Sequence, residues 1–255
     1  MRRLTDILAP LLFISALLGI WEWACAAMKV PTYFLPAPSA IAKAVVANAP
    51  ALLTSATNTL GIAILSLAIA SLVATSIAFL VALNRTLERS IQPLAVALQV
   101  TPIIAIAPQV VIWSGIEHPL RAVVALAGIV AFFPIFSGAV KGLQSADPDL
   151  VRLFDLYGAT PLQRLFRLNI PSAVPFMIQG HKVASGLAII GSVVGEWSAG
   201  GGATRGLAWG ILEASNRFQT AKAFANLVVL AVLAVALYGL LNLLERRADR
   251  WWRGR

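Results

Sequence analysis

The sequence has a single cysteine, Cys25, only two histidines and only 11 acidic residues in 255. One cysteine excludes an intrachain disulfide, and without a Cys/His cluster there is no ligand set for zinc. Charge is scarce as well: 12% of residues are charged and 59% hydrophobic, against about 25% and 45–50% in a soluble domain. So few charges cannot clothe a soluble surface, and the excess of apolar side chains needs lipid to face. A phosphate-binding P-loop is missing, because it needs Gly-x-x-x-x-Gly-Lys followed by Ser or Thr. Lys29, Lys43, Lys141, Lys182 and Lys222 are followed by Val, Ala, Gly, Val and Ala. The Gly200-Gly201-Gly202 run misses the dinucleotide fingerprint, with Arg205 where its third glycine should stand, and reads as a re-entrant or surface turn. Intramembrane proteolysis lacks its residues too: Asp6 lies at the edge of a span, and His181 is the one histidine near the bilayer.

What the chain does have is long apolar runs. At ~1.5 Å per residue a crossing takes about 20 residues, and six stretches qualify: Ile7–Met28, Leu53–Leu83, Ile91–Gly115, Leu120–Gly142, Pro171–Ala199 and Ala223–Leu244. The expected fold is all-α, a single polytopic membrane domain over residues 1–255 with six transmembrane helices. The second and fifth stretches exceed one crossing, so each is tilted or begins at the interface. Arg2-Arg3 followed by an apolar run resembles a signal peptide, but the run outlasts a signal core of about 7–15 residues, and Trp21-Glu22-Trp23 reads as the interfacial anchor of a retained helix.

A net charge of +9 raises nucleic acid as a partner. The basic residues argue otherwise, since they gather at the ends of apolar runs rather than in one aromatic-laced patch. With the N-terminus inside, Arg2, Arg3, Arg85, Arg89, Lys141, Arg152, Arg164, Arg167, Arg246, Arg247, Arg250, Arg253 and Arg255 are cytoplasmic. Only Lys29, Lys43, Arg121, Arg205, Arg217 and Lys222 lie outside, which sets both termini in the cytoplasm. Outside, Val30–Ile41 reads VPTYFLPAPSAI and is either a plain linker or the lead into a short surface helix capped by Ser39, with Ile41, Val45 and Val46 on one face.

The stretch from Ser145 to Phe176 is too polar to span and too periodic for disorder. Asp147 or Asp149 can cap a helix with Leu150, Leu153, Phe154 and Tyr157 on one face. Gly158 ends it; Thr160-Pro161 opens a second helix whose Leu162, Leu165, Phe166 and Ile170 continue the face until Pro171. Such a hairpin either folds back on its own bundle or, the reading we favour, offers its apolar face to another protein.

Here the chain resembles the permease subunits of bacterial ABC importers, in particular the nitrate, sulfonate and taurine branch. Gly158 matches the glycine of the family's cytoplasmic motif, and Leu168-Asn169-Ile170-Pro171 matches its ending, while Arg152, Leu153 and Phe154 replace the Glu-Ala-Ala start. The resemblance runs from Pro36-Ala37-Pro38-Ser39 through Thr101-Pro102 and Ala131-Phe132-Phe133-Pro134 to Leu244-Glu245-Arg246-Arg247. It implies a second copy of the permease, two cytoplasmic ATPases holding ATP and magnesium, and a periplasmic or extracellular substrate-binding protein. This chain, embedded in lipid in the bacterial inner membrane, binds no cofactor of its own and is not an enzyme on that reading. The ATPase-coupling residues would be Arg152, Leu153, Phe154, Asp155, Tyr157, Gly158, Ala159, Pro161, Leu162, Arg164 and Pro171. The implied substrate is a small polar or anionic solute: a sulfonate, taurine, nitrate or a thiamine-precursor pyrimidine. A self-contained channel or secondary carrier is the alternative, and it leaves the hairpin without a purpose.

Polar groups inside the spans are candidates for the pathway. Gln99, Thr101 and Gln109 flank Pro102 and Pro108, which either kink the third span or break it to line a cavity. Ser137 beside Pro134, and Ser192 with Ser185, serve the pathway or close helix packing. Glu196 is an interfacial carboxylate beside Trp197 or a gate. His181 and Lys182 are expected to snorkel toward water, and Glu117-His118 to form a solvated outer turn.

Overall fold

The computed structural model describes the backbone of residues 2–200 and 204–252, and the side chains of residues 8–84, 86–200 and 204–247. Arg2, Arg3, Arg85, Arg250, Arg253 and Arg255, as side chains, and Gly201 and Gly202 lie outside the described residues. Within them the chain is all-helical: α1 (Arg2–Ala27), α2 (Pro38–Ala47), α3 (Ala49–Leu83), α4 (Arg85–Val100), α5 (Ile103–Ser114), α6 (Pro119–Leu143), α7 (Pro148–Leu156), α8 (Pro161–Arg164), α9 (Ile170–Ser198), α10 (Leu207–Asn216) and α11 (Thr220–Trp252). Five helical segments are long and apolar enough to cross a membrane, and the pair α4 and α5 makes a sixth only as a broken span.

The centre of the bundle is α3, α6 and α9. In lipid, apolar side chains gain little by leaving their solvent, so helices associate through close packing, which favours small residues. Ala63, Ala74 and Ala78 of α3, Ala127, Ala131 and Ala139 of α6, and Ala173, Ala184 and Ala188 of α9 are all fully buried. At Gly180 a Cβ would stand 2.5 Å from the Pro134 carbonyl oxygen, and at Gly191 one would stand 2.6 Å from the Ala127 Cα. No larger residue allows α6 and α9 that approach. Bulky side chains point the other way: Leu12, Phe13 and Ile20 of α1 and Val232 and Val235 of α11 are largely exposed, as a lipid-facing shell requires.

Four expectations are corrected. The third span is not one helix over Ile91–Gly115: α4 and α5 meet at a 103° bend. Pro102 holds Thr101 extended (φ −69°, ψ 124°) and supplies no N–H, while the Thr101 hydroxyl turns back to the Ala97 carbonyl at 2.7 Å. Pro108 lies within α5 without breaking it. Secondly, Ser39 does not cap α2. The helix starts at Pro38 with Ala37 at its cap position, and Ser39 instead donates its N–H and its hydroxyl to the Glu22 carboxylate, at 2.9 and 2.7 Å.

Thirdly, the second hairpin helix does not stop at Pro171. After α8 the chain widens into a π turn, Leu165–Asn169, and runs directly into α9. The Ile170 N–H reaches the Leu165 carbonyl, and this wider turn makes room for a proline that could neither donate nor fit an α turn. Fourthly, Lys182 does not snorkel. It is 7% exposed, wedged between α9 and α11, with Nζ 2.5 Å from Glu245 Oε2, 3.0 Å from Asn242 Oδ1 and over the Tyr238 ring. Its neighbour His181 faces α3: Nδ1 lies 2.7 Å from the Met177 carbonyl and Nε2 2.7 Å from Ser71 Oγ. Since a carbonyl only accepts, Nδ1 carries the proton there.

Candidate functional site

Three features bear on function, one at an end of the bundle, one within it and one at the opposite end. The first is the hairpin. Asp147 caps α7 by accepting the Asp149 N–H at 2.8 Å. Gly158, at φ +65°, ends the helix: its N–H reaches the Asp155 carbonyl and the Ala159 N–H reaches the Phe154 carbonyl, closing two of the free acceptors in a Schellman turn. Thr160 and Gln163 then form a reciprocal capping box around Pro161. Arg164 ties the two legs together through Asp155 at 3.1 Å, and Arg152 pairs with Asp149 at 3.2 Å on the exposed side. The hairpin is therefore built by its own residues. Its apolar side chains are left uncovered: Leu156 is 84%, Tyr157 83%, Phe166 65% and Leu162 56% exposed, with Leu153 less so and Phe154 half-buried. Pro171 lies above it, inside the continuous α9.

The second feature is a cavity of about 590 Å³ formed where α4 breaks against α6 and α9. Gln99 and Thr101 line it at the break and Ser137 lines it from α6. Gln179 of α9, Lys141 of α6, Phe133 and Phe176 join them. Apolar walls with a few convergent amides and hydroxyls are what a small-molecule site requires. Three other pathway candidates stand elsewhere. Gln109 is exposed on α5, and Ser192 is buried, donating to the Ile189 carbonyl at 2.8 Å. Sequence reasoning passed over Gln179, whose signal was available: Phe176, Gln179, Gly180, Val183 and Leu187 recur at helical spacing on one face of α9.

Glu196 is the third. It is fully buried and belongs to a polar knot at the end of the bundle opposite the hairpin. Its Oε1 accepts the Thr59 hydroxyl and its Oε2 the Trp209 N–H, both at 3.0 Å, while Thr59 Oγ1 accepts the Leu207 N–H at 2.9 Å. The carboxylate thus caps α10, a helix that sequence reading did not find, because Gly206 at its cap position has no side chain to announce it. A Cβ at Gly206 would collide with the Glu196 carboxylate and the Thr59 hydroxyl. Trp197 adds a bond from Nε1 to the Ala208 carbonyl at 2.8 Å.

Residues 70–250, most of the chain, match the family described as binding-protein-dependent transport system inner membrane component. The chain belongs to that family. It is accordingly a multi-pass protein of the bacterial inner membrane and a permease subunit of an ABC importer, a transport component rather than an enzyme. This permease is 32% identical over 98% of both chains to the formylaminopyrimidine transport permease protein ThiX of Halalkalibacterium halodurans. It is 26% identical to the taurine transport system permease protein TauC of Escherichia coli, over 93% of this chain and 87% of that one. Among solved structures, a chain of the MetNI methionine ABC transporter in inward-facing conformations superposes with a TM-score of 0.69 at 16% identity, covering 77% of this permease and 95% of that chain. At that identity the likeness is one of fold.

Proposed function

We propose that the permease forms the pathway for a small, flat polar solute of the aminopyrimidine class, at the cavity lined by Gln99, Thr101, Ser137 and Gln179, and that the hairpin couples it to a separate ATPase. The observation that carries the pathway is the broken α4 and α5 pair, which opens a cavity lined by Gln99 and Thr101 at the break, Ser137 and Gln179 from the facing helices, and the rings of Phe133 and Phe176. Amide groups pair with the ring nitrogens and exocyclic amine of a pyrimidine, and the phenyl rings offer stacking faces. The end-to-end similarity to ThiX supports the same class. A second reading rests on Lys141, which also lines the cavity and suits a sulfonate such as taurine.

For coupling, the exposed Leu156, Tyr157, Leu162 and Phe166 enter a groove on the ATPase, with Arg152 and Arg164 at the rim. The hairpin end is then cytoplasmic, ATP and magnesium are held by two ATPase subunits, a second permease completes the pathway, and a binding protein delivers the solute at the opposite end. The test is uptake into proteoliposomes holding the permease together with its ATPase and binding protein. ATP-dependent accumulation of a labelled aminopyrimidine, reduced by Gln99→Leu, is the expected result. Preference for taurine moves the assignment to the sulfonate reading. Uptake by the permease alone, without ATP, would instead make it a channel or carrier.

A further inference from the structure

A second cavity, of about 740 Å³, opens between the hairpin and the ends of the spans. The end of α3, the first turns of α4, the end of α6, α7 and the π turn all contribute to its walls. Arg89 of α4 and Arg164 of α8 line it, with the amides of Gln92, Gln144 and Asn169. Among the described residues one carboxylate lines it, Glu88, which accepts the Gln144 amide at 2.5 Å, so two guanidinium charges stand against one carboxylate. Arg164 gives Nη1 to Asp155 at 3.1 Å, which leaves most of the guanidinium's five N–H groups for another acceptor. Two guanidinium groups and the amides of Gln92 and Asn169 around a space of this size, with Val81 and Leu143 buried beneath, make a receptor for an oxyanion.

We propose that this cavity binds a phosphate group, held by Arg89 and Arg164. Guanidinium forks match the paired oxygens of phosphate in geometry as well as charge. The cavity sits where apolar spans give way to polar chain, the level of lipid headgroups, so the phosphate comes from an anionic phospholipid or from free phosphate. Basic pockets between spans recognise headgroups in this way. Because Val151 of α7 and Asn169 of the π turn share the wall, the bound group braces the hairpin against α4.

The test uses the full chain purified in an uncharged detergent, with its thermal midpoint followed at fixed ionic strength. The additions are phosphatidylglycerol, phosphatidylcholine or inorganic phosphate. A saturable rise with phosphatidylglycerol and none with phosphatidylcholine is expected, and Arg89→Gln and Arg164→Gln each weaken it about fivefold. Arg217→Gln, at the opposite end, leaves it unchanged. Asp155→Asn severs the ion pair but keeps the guanidinium, so binding persists. A response to inorganic phosphate alone assigns the free anion as the source. No response to either phosphate source overturns the site, as does a response that Arg89→Gln leaves intact or that Asp155→Asn removes as fully as Arg164→Gln.

Discussion

At the end of the bundle opposite the hairpin, α2 and α10 begin with Ala37 and Gly206, which carry no capping group, and each borrows a carboxylate from the end of a span. Glu22 serves α2 and Glu196 serves α10. The hairpin helices α7 and α8 borrow nothing, since Asp147 and Thr160 cap them from their own first turns. The two ends are thus built on different logics. The hairpin closes its own helix ends, as suits the docking role proposed for it. The opposite end is stitched into the bundle, and its stitches differ in weight. Glu22 is half-buried on the peripheral α1, where water can take its place, whereas Glu196 is sealed among α3, α9 and α10, where nothing else can satisfy Thr59 or the Trp209 N–H.

Substitutions ranked by their effect on the stability of the fold probe this contrast. Glu196→Ala is expected to cost most, about 3 kcal/mol, because it strands buried donors. Thermal unfolding in detergent measures it, and a wild-type midpoint would remove the polar knot from the account. Next comes Lys182→Met, which leaves Glu245 without its cation between α9 and α11. Pairing it with Glu245→Leu should recover part of the lost midpoint, since an apolar pair avoids the stranded charge; a double variant worse than the single would contradict the pairing. Glu22→Gln keeps one acceptor for Ser39 and should lower the midpoint only slightly, so a fall matching that of Glu196→Ala would erase the distinction drawn from burial. At the small end, Leu156→Asp should leave the midpoint unmoved while abolishing co-purification of the ATPase. Intact association after that change would release α7 from the docking surface.

Legibility followed the same division. Thr160-Pro161 and Gly158 are signals read within three or four residues, and the structure places a capping box and a left-handed helix end there. Thr101-Pro102 marked a place where a span could bend, but a proline gives only the site of a break; the 103° angle came from how α5 seats against α6. Lys182 was misjudged because its partner lies 63 residues away on another helix, beyond anything local pattern reveals. Glu196 raised the same difficulty, with Thr59 137 residues distant.

Residence in a bilayer, the long helices and the caps of the hairpin can be read along the chain, because apolar length and local hydrogen bonding are properties of neighbouring residues. Which polar groups inside that bilayer satisfy one another, and which face a cavity, depends on packing between distant helices. In a low-dielectric interior each polar group must find a partner or a wet space, and the partners here come from helices that the chain order keeps far apart.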